Sequence, residues 1–565
     1  MYKELKEVWA ELTGPGGAFE ITTAEVRGQT IKVHANAPAS LREVWLGTAP
    51  FAERDYLVYE DERWTYADAH RDVAAIANWL KQQGVSHGER VAIAMRNYPE
   101  WLLSYWACVS QGIGVVGMNA WWVAEEMEYG LQDSAPRVLI CDQERFDHFS
   151  KIADKFPDIR VVGVRLNAYP ASVTPISEVL ATGGDLPEAT IDPEDDACIF
   201  YTSGTTGRPK GAELTHRGCV NNIMNLAFWG TAMGHALARA AGVAPPNPEE
   251  APIGAGLITT PLFHVTANNC MAHATTLTGG KLVHMYRWDA GEALKLIERE
   301  QILSMSGVPV MSRELINHPD FDKYDTSSLL QVSGGGAQVQ PDLVGKIDQK
   351  VKTARPGTGY GMTETCGIIT SIGGDYFVDR PDSCGPAMPN FETRCVDADG
   401  NDVPDGQVGE LWVKGGSVIK GYLNRPDATA ETITDGWLHT GDVARKDEDG
   451  FLYIVDRVKD MVLRGGENIF CAEVETVLFA IDGVAEVSVF GVEDDRLGEE
   501  VGAAIVPAAG ASLSADEIRA HCAAHMAKHK IPRYIWLLNE SLPRNASGKF
   551  LKRELRDSLK TADAV

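Results

Sequence analysis

The sequence predicts an α/β protein with a large N-terminal domain of several subdomains, residues 1–456, and a small α+β C-terminal domain, residues 461–565. Two observations carry this prediction. The first 200 residues alternate short apolar runs with helical segments, a pattern typical of parallel strands covered by helices on both faces. Residues 456–468, DRVKDMVLRGGEN, join a dense charge run to a glycine pair, which is typical of a domain boundary.

The N-terminal elements follow from local patterns. DYLVYEDERWTY, residues 55–66, predicts a hairpin. Thr65 with Asp68 three residues later predicts a capped helix that runs up to Gly84. Three short apolar runs that follow predict buried parallel strands: VAIAM (91–95), GVVGM (114–118) and RVLICD (137–142).

Residues 231–252 interrupt this alternation with an alanine-rich stretch that ends in a Pro/Glu loop, and we interpret them as a surface insertion. Apolar runs then resume in GLITTPLF (256–263), KLVHMY (281–286) and LLQVSGGG (329–336). Beyond the boundary, AEVSVFGV and GAAIVP predict two strands, and Ser514 with Glu517 predicts a capped helix.

Charge and composition restrict the partners. Asp and Glu outnumber Lys and Arg by 79 to 52, a formal net charge of −27, so the overall field repels nucleic acids and anionic lipids. We therefore expect no nucleic-acid partner, no transmembrane segment and at most weak peripheral membrane contact. Ten scattered cysteines without a CxxC pair indicate reduced thiols and a cytoplasmic protein. We expect a monomer or a homodimer.

A loop suited to phosphate follows the strand-like segment CIFY. Residues 202–211, TSGTTGRPKG, concentrate four hydroxyls, three glycines and two cations. Glycine lets the main chain approach closely, so backbone N–H groups, hydroxyls and a cation can converge on phosphate oxygens. It is not a Walker A loop, because Gly211 follows Lys210 where Ser or Thr is needed. The candidate phosphate ligands are Thr202, Ser203, Gly204, Thr205, Thr206, Gly207 and Lys210.

The string YTSGTTGRPKG resembles the signature of the adenylate-forming (AMP-binding) superfamily. Further motifs match that superfamily in the same order: SGGGA (333–337), GYGMTE (359–364), GWLHTGD (436–442), VDRVKD (455–460) and NASGKFLKREL (545–555). The resemblance extends from about residue 40 to about residue 560 and is greatest to the acyl-CoA synthetase and fatty-acid–CoA ligase branch. It implies a large adenylate-forming domain with a small mobile lid, and ATP, Mg²⁺, CoA and a carboxylic acid as reactants.

The resemblance also implies roles for individual residues. Thr363 would contact the α-phosphate, Glu364 would hold Mg²⁺ and Tyr360 would lie against adenine, while Asp442 and Arg457 would bind the ribose. Lys549 would bridge the substrate carboxylate and the α-phosphate, so the implied catalytic set is Lys549, Thr363, Glu364 and Lys210. The remaining implied nucleotide or CoA positions are Gly335, Gly336, Ala337, Gly359, Gly361, Met362, Gly465 and Gly466, with Lys459 as the hinge within residues 457–460.

The class of the substrate acid is inferred from the segment PLFHVTANN, residues 261–269. His264 stands where amino-acid-activating relatives carry an Asp that pairs with the substrate's amine, so a fatty or aryl acid is expected. The expected acyl pocket comprises His264, Val265, Thr266, Gly307, Val308, Gly334 and Gly335. Two departures from the family pattern affect this region: Ala267 replaces a usual glycine, and Cys471 replaces a usual proline.

The favoured interpretation is a ligase for medium- or long-chain fatty acids that makes acyl-CoA through acyl-AMP. An aryl-acid–CoA ligase acting on cinnamate- or benzoate-like acids is the alternative, as is an acyl-AMP ligase that loads a carrier protein in trans. A catalytically idle adenylate-binding protein is a third possibility. His521, His525 and His529 have a spacing that can chelate a metal, but we interpret them as the solvated edge of a helix.

Overall fold

The computed structural model describes residues 2–202, 208–247, 250, 252–465, 467–545 and 548–565. Its strands are β1 (Ile21–Val26), β2 (Gln29–His34), β3 (Asp55–Tyr59), β4 (Glu62–Thr65), β5 (Arg90–Ala94), β6 (Gly114–Gly117), β7 (Val138–Cys141), β8 (Arg160–Gly163), β9 (Val173–Pro175), β10 (Asp196–Thr202), β11 (Lys210–Thr215), β12 (Ala255–Ile258), β13 (Lys281–His284), β14 (Ser304–Gly307), β15 (Gln331–Gly335), β16 (Arg355–Met362), β17 (Gly367–Gly373), β18 (Gly385–Pro386), β19 (Phe391–Val396), β20 (Val408–Gly415), β21 (Gly421–Tyr422), β22 (Ile433–Thr434), β23 (Trp437–Lys446), β24 (Phe451–Arg457), β25 (Val462–Arg464), β26 (Glu467–Ile469), β27 (Val484–Asp494), β28 (Gly498–Pro507) and β29 (Tyr534–Leu537).

The α-helices are α1 (Tyr2–Thr13), α2 (Leu41–Leu46), α3 (Tyr66–Gln82), α4 (Pro99–Val109), α5 (Ala124–Ser134), α6 (Gln143–Phe149), α7 (Ile176–Leu180), α8 (His216–Ala241), α9 (His273–Leu277), α10 (Ala290–Glu300), α11 (Pro309–Ile316), α12 (Pro341–Lys350), α13 (Asp375–Asp379), α14 (Pro426–Thr432), α15 (Cys471–Phe479), α16 (Ala515–His525) and α17 (Lys552–Ser558). A π-helical segment, Thr266–Ala272, leads directly into α9. Among the described residues, no helix combines the length and apolarity needed to cross a bilayer.

Two eight-stranded sheets form most of the N-terminal domain. Their strand orders are β21-β11-β10-β6-β5-β7-β8-β9 and β17-β16-β15-β14-β12-β13-β3-β4. One apolar cluster draws residues from both sheets and from α2, α3 and α4, with Trp45, Trp101 and Trp106 fully buried in it. Each such ring buries on the order of 150–250 Å², so this aromatic layer fixes how the two sheets face one another.

The N-terminal elements agree with the sequence patterns. β3 and β4 form the expected hairpin, and both hydrogen bonds of the capping box between Thr65 and Asp68 are present at the start of α3. β5 pairs in parallel with β6 and β7, and all three strands are buried. The predicted α/β class is therefore confirmed.

The predicted surface insertion at residues 231–252 is wrong in its first half. Residues 231–241 complete α8, a helix of 26 residues that ends at Gly242 in a left-handed conformation. Ala232 and Ala236 are buried in the cluster that also holds residues of α1. Alanine is the best helix former, and its small side chain lets α1 pack closely against this face. The alanine-rich composition was therefore a sign of helix packing.

A third sheet follows, with the order β18-β24-β23-β20-β19 and with β22 paired to β23. The chain then enters a separate five-stranded sheet of β25, β26, β27, β28 and β29, whose apolar cluster includes side chains of α15 and α16. This is the expected small α+β unit. Residues 458–461 connect β24 of the third sheet to β25 of the last one.

The C-terminal expectations hold in part. β27 and β28 form at the expected runs, and Ser514 and Glu517 make the capping box of α16. The three-histidine face does not form, because α16 ends at His525 and His529 lies in a following 3-10 turn. The rings of His521 and His525 stack with centroids 4.4 Å apart.

Candidate active site

A cavity of about 920 Å³ lies at the carboxyl ends of β10, β14, β15 and β16 and is closed on one side by the C-terminal part of the chain. Ligands of open α/β sheets bind at such strand ends. The structure brings most of the sequence-predicted residues to its wall: Thr202, Lys210, His264, Val265, Thr266, Val308, Gly334, Gly335, Gly336, Gly359, Gly361, Met362, Thr363, Glu364, Arg457, Lys459 and Lys549.

The predicted phosphate loop connects β10 to β11, which pair as an antiparallel hairpin. Thr202 ends the first strand and Lys210 begins the second, and both line the cavity. The Lys210 ammonium lies 4.2 Å from the centroid of the Tyr422 ring, within the range of a cation–π interaction. The other predicted loop residues, Ser203, Gly204, Thr205, Thr206 and Gly207, lie outside the described part of the chain.

Glu364 lies in the 3-10 turn that follows β16, and the residue is only 7% exposed. The Tyr422 hydroxyl donates a hydrogen bond of 2.8 Å to its Oε1. Burial raises the pKa of Tyr422, which keeps the phenol protonated as a donor. Oε2 has no hydrogen-bond partner among the described residues, so one carboxylate oxygen remains for another ligand at the cavity wall.

Tyr422 is a site residue that sequence reasoning missed. It lies on the two-residue strand β21, which pairs with β11, and it contacts both the lysine of the phosphate loop and the buried carboxylate. Its local sequence, Gly-Tyr-Leu, has no distinctive composition. Only the pairing of β21 with β11, which are about 210 residues apart in the chain, reveals its position.

The predicted adenine and ribose residues are joined to one another. The Tyr360 hydroxyl donates a 2.7 Å hydrogen bond to Asp442, and the Arg457 Nε lies 3.2 Å from the other carboxylate oxygen. Asp442 is 6% exposed, and burial raises the pKa of Tyr360. Of these three residues Arg457 lines the cavity, while Tyr360 and Asp442 lie behind its wall.

Lys549 enters the cavity from the C-terminal part of the chain. Its side chain passes the SGGGA loop, where a Cβ placed on Gly336 would lie 3.9 Å from the Lys549 Cε. Burial and the neighbouring Arg457 guanidinium lower the pKa of Lys549 to about 8, against the opposing effect of Asp442 and Glu364. Lys549 is therefore close to Glu364, the candidate metal ligand, and to Asp442 and Arg457, the candidate ribose ligands.

The preceding glycine makes this approach possible. Gly548 has a φ of +80°, and a Cβ on it would lie 2.8 Å from the Val308 side chain. A side chain at this position would be both strained and too close to the cavity wall. The glycine of NASGK is thus required by the turn that directs Lys549 inward.

On the acyl side, the Nε2 of His264 is buried without a hydrogen-bond partner in the described structure. Burial lowers the pKa of His264 to about 4, with a further lowering from Lys549, so the imidazole is neutral near pH 7. It presents a neutral polar edge to the cavity rather than a charge.

Besides Tyr360 and Asp442, three more predicted positions among the described residues do not line the cavity. The Cβ direction of Gly307 points away from it, toward Met311 and Thr259, because side chains alternate along a strand and Ser306 takes the inward position. Ala337 is exposed beyond the SGGGA loop. Gly465 follows β25 with a φ of +60°, and a Cβ on it would lie 3.1 Å from the side chain of Leu497, which lies between β27 and β28. Gly466 lies outside the described residues.

The Cys471 departure from the family pattern has a structural consequence. Its backbone N–H donates to the buried carboxylate of Asp456, and its thiol lies 3.0 Å from the Asp460 carbonyl oxygen. A proline at this position has no N–H to donate. The residue that begins α15 is thereby tied to β24, through Asp456, and to the connecting segment, through Asp460.

Comparison with known proteins identifies the family. Residues 46–423 match the family model described as AMP-binding enzyme, and residues 473–549 match the AMP-binding enzyme C-terminal domain. A feruloyl-CoA synthase from Amycolatopsis sp is 35% identical over 87% of this chain and 93% of the relative. A 2-succinylbenzoate–CoA ligase from Bacillus cereus is 33% identical over 91% of this chain and 97% of the relative.

Two solved structures share the fold over 92% of this chain and 98% of their own, each at 28% identity. One is ATP-bound MatB from Rhodopseudomonas palustris, with a TM-score of 0.79. The other is o-succinylbenzoate CoA synthetase from Bacillus subtilis in complex with its acyl-adenylate intermediate, with a TM-score of 0.76. The chain belongs to the AMP-binding, adenylate-forming enzyme family, and it is an AMP-forming acid–thiol ligase.

Proposed function

We propose that this ligase activates an aryl carboxylic acid with ATP and transfers the acyl group to CoA. The curated relatives quoted above are named for feruloyl and succinylbenzoyl substrates, which favours the aryl alternative over the fatty acid expected first. The observation that carries the ligase assignment is the convergence of Lys549, Lys210 and Glu364 on one cavity.

The first half-reaction brings two anions together, the acid carboxylate and the α-phosphate of ATP. Their repulsion is ~1 kcal/mol per unit pair at 4 Å in water and ~4 kcal/mol at an effective dielectric of 20. Lys549 and Lys210 both line the cavity, so they can neutralise this approach from the C-terminal side and from the phosphate loop. The carboxylate oxygen then displaces pyrophosphate in line, giving acyl-AMP with no side-chain nucleophile.

The residues present fit a magnesium ion. Mg²⁺ takes hard oxygen ligands, usually one or two carboxylates together with substrate phosphates and water. Glu364 lines the cavity, and its hydrogen bond with Tyr422 uses only Oε1. We propose that this carboxylate holds the metal, which would supply positive charge to the phosphates. Tyr422 would fix the rotamer of the carboxylate through its hydrogen bond to Oε1.

The second half-reaction needs room for a thiol where Lys549 now lies. We propose that residues 461–565 rotate as a lid about Lys459, within a hinge of residues 457–460, relative to the domain of residues 1–456. In the described part of the chain, the backbone passes from the third sheet to the last one through the connecting segment between β24 and β25. In the rotated state Gly465 would approach the CoA thiol channel. The ten free thiols suit a reducing compartment, and we propose a cytoplasmic location.

An acid panel tests the function. The purified chain is incubated with ATP, Mg²⁺ and benzoate-, cinnamate- or succinylbenzoate-like acids, with octanoate as the alkyl comparison, and pyrophosphate and AMP are measured with and without CoA. We expect aryl acids to release pyrophosphate, and CoA to be required for AMP turnover. A preference for octanoate would restore the fatty-acid interpretation. AMP release at the same rate with and without CoA would contradict a CoA ligase.

The pKa of Lys549 predicts the pH dependence of adenylation. Because its pKa is lowered to about 8, the cation is largely present at pH 7 and largely lost at pH 9. We expect kcat/KM for ATP, measured by acid-dependent pyrophosphate release, to fall about tenfold per pH unit above pH 8, since this parameter reports the enzyme before nucleotide binds. Lys549→Arg stays charged and should remove this decline. His264, with a pKa of about 4, does not titrate in this range.

A further inference from the structure

A buried hydrogen bond joins the C-terminal part of the chain to the third sheet. The backbone N–H of Cys471, the first residue of α15, donates to one carboxylate oxygen of Asp456, near the end of β24. The other carboxylate oxygen accepts a 2.7 Å hydrogen bond from the Arg457 N–H. Cys471 and Asp456 are both buried, so water competes little for the donor or for the acceptor.

The hydrogen bond from Cys471 belongs to the stronger class, because its acceptor is charged. Burial raises the pKa of Asp456 to about 6, against the opposing effects of Lys552 and of the two N–H donors, so the carboxylate is ionised at pH 7.5. The first N–H groups of a helix have no partner within the helix, and the helix dipole favours an anion beside them. Loss of a hydrogen bond to a charged group typically changes an equilibrium by about 10- to 100-fold.

The donor and the acceptor lie on opposite sides of the proposed hinge, residues 457–460. Asp456 precedes the hinge and would stay with the N-terminal domain, whereas Cys471 follows the hinge and would move with the lid. A rotation about Lys459 therefore changes both the position and the direction of the N–H relative to the carboxylate. Because a hydrogen bond weakens steeply when its length or angle departs from the optimum, we expect this bond in the described orientation and not after rotation.

The orientation that contains this hydrogen bond also places Lys549 in the cavity. Glu475, one turn along α15 from Cys471, pairs with Lys552 at 2.9 Å, and Lys552 begins α17, three residues after Lys549. Burial alone would lower the pKa of Lys552, but Glu475 and Asp456 are among the groups that raise it. Through these charges α15 connects the end of β24 to the segment that carries Lys549.

Two further contacts between α15 and the N-terminal domain are weaker. The Thr476 Oγ1 lies 3.4 Å from the Gln340 Oε1, which is long for a hydrogen bond. The Arg313 guanidinium lies 5.9 Å from the centroid of the Phe479 ring, at the outer limit of a cation–π interaction. Of these three contacts, the buried hydrogen bond to the Asp456 carboxylate contributes most to holding the described orientation.

The bond requires that residue 471 is not a proline. Proline has no N–H, and it is well accommodated at the first position of a helix, where no intrahelical hydrogen bond is lost. Phe470 has a φ of −84° and a ψ of 118°, which is the extended conformation that proline favours in the residue before it. The proline usual in this family would therefore fit the local backbone at position 471, but it would lack the donor.

We propose that the Cys471 N–H and the Asp456 carboxylate form a latch that holds the lid in the orientation in which Lys549 enters the cavity. Cys471 is then a positioning residue: it acts on the reaction only by setting the relative populations of the lid orientations that serve the two half-reactions. The inference rests on the proposed lid rotation and adds to it the contact that favours one orientation. A proline at position 471 would leave the adenylation orientation less favoured.

The test measures kcat/KM of each half-reaction at pH 7.5, with the most active acid of the panel above and its acyl-AMP. Acid-dependent pyrophosphate release reports adenylation, and acyl-CoA formation from supplied acyl-AMP reports thioester formation. Because each half-reaction uses its own lid orientation, the ratio of their rates follows the ratio of the two populations. In Cys471→Pro we expect adenylation to fall, and the ratio of thioester formation to adenylation to rise by about 10- to 100-fold. Asp456→Ala, which removes the acceptor, should change the ratio in the same direction.

Cys471→Ala is the matched control, because alanine keeps the N–H and removes only the thiol, which lies 3.0 Å from the Asp460 carbonyl oxygen. Its ratio should match wild type. An unchanged ratio in Cys471→Pro or in Asp456→Ala would overturn the latch, whether both half-reactions persist or both fall equally, and so would equal changes in Cys471→Ala and Cys471→Pro. These outcomes leave the ligase in place. Failure of every acid in the panel to release pyrophosphate would instead overturn the proposed function.

Discussion

Lys549→Ala is expected to slow acyl-AMP formation by about 10²- to 10³-fold, the loss typical of one preorganised electrostatic group. Lys549 reaches the cavity from the C-terminal part of the chain and faces Asp442 and Glu364, which are candidates for binding ribose and metal. The alanine variant removes the cation that we propose stands between the carboxylate and the α-phosphate. The measurement is acid-dependent pyrophosphate release at saturating ATP.

The second half-reaction separates this role from a general loss of activity. Supplied acyl-AMP should still react with CoA in the Lys549→Ala variant, because thiol attack does not use the lysine. Lys560→Ala is the control, since Lys560 is an exposed lysine in the same C-terminal part and should behave as wild type in both steps. Equal loss of both half-reactions in Lys549→Ala would contradict the proposed alternation of the lid.

Glu364→Gln is expected to have the second large effect, a fall of about 100-fold or more in acyl-AMP formation at a fixed Mg²⁺ concentration. Glutamine has nearly the same shape and can still accept the hydrogen bond from Tyr422. What it loses is the negative charge at the free oxygen, which is the feature a magnesium ion needs. Pyrophosphate release measured across a Mg²⁺ titration should show a half-maximal concentration raised by about 10- to 100-fold.

The same substitution at a second glutamate, Glu431, provides a control for Glu364→Gln. Glu431 also lines the cavity, so Glu431→Gln changes the cavity charge by the same amount at another place. We expect its Mg²⁺ titration to match wild type. Equal shifts in the two variants would show that Glu364 acts only through net charge, and calorimetric titration of ATP with and without Mg²⁺ would identify which step is affected.

Local patterns predicted much of the fold because they depend on neighbours in the chain. The Thr65–Asp68 cap, the β3–β4 hairpin and the buried strands β5, β6 and β7 each follow from a few consecutive residues. Residues 231–241 were misassigned because their partner, α1, lies more than 200 residues away. An alanine-rich helix face shows its function only when the helix that packs on it is known.

Some residues of the candidate site were also predicted from the sequence, and others were not. The resemblance proposed Lys210, Glu364 and Lys549, and the structure brings all three to one cavity. Tyr422 was missed because its two contacts come from β11 and from the turn after β16, which are far from it in sequence. Gly307 was placed on the acyl wall, and strand alternation turns it outward in favour of Ser306.

The α/β class, the small C-terminal unit and the family could be inferred from the amino-acid sequence, because ordered motifs and apolar periodicity are local properties of consecutive residues. Only the three-dimensional arrangement shows that Lys549 shares a cavity with Thr202 and Lys210, and that Tyr422 hydrogen-bonds Glu364. These are contacts between segments far apart in the chain. Their geometry is set by strand register and by the packing of one sheet against another, which no local pattern specifies.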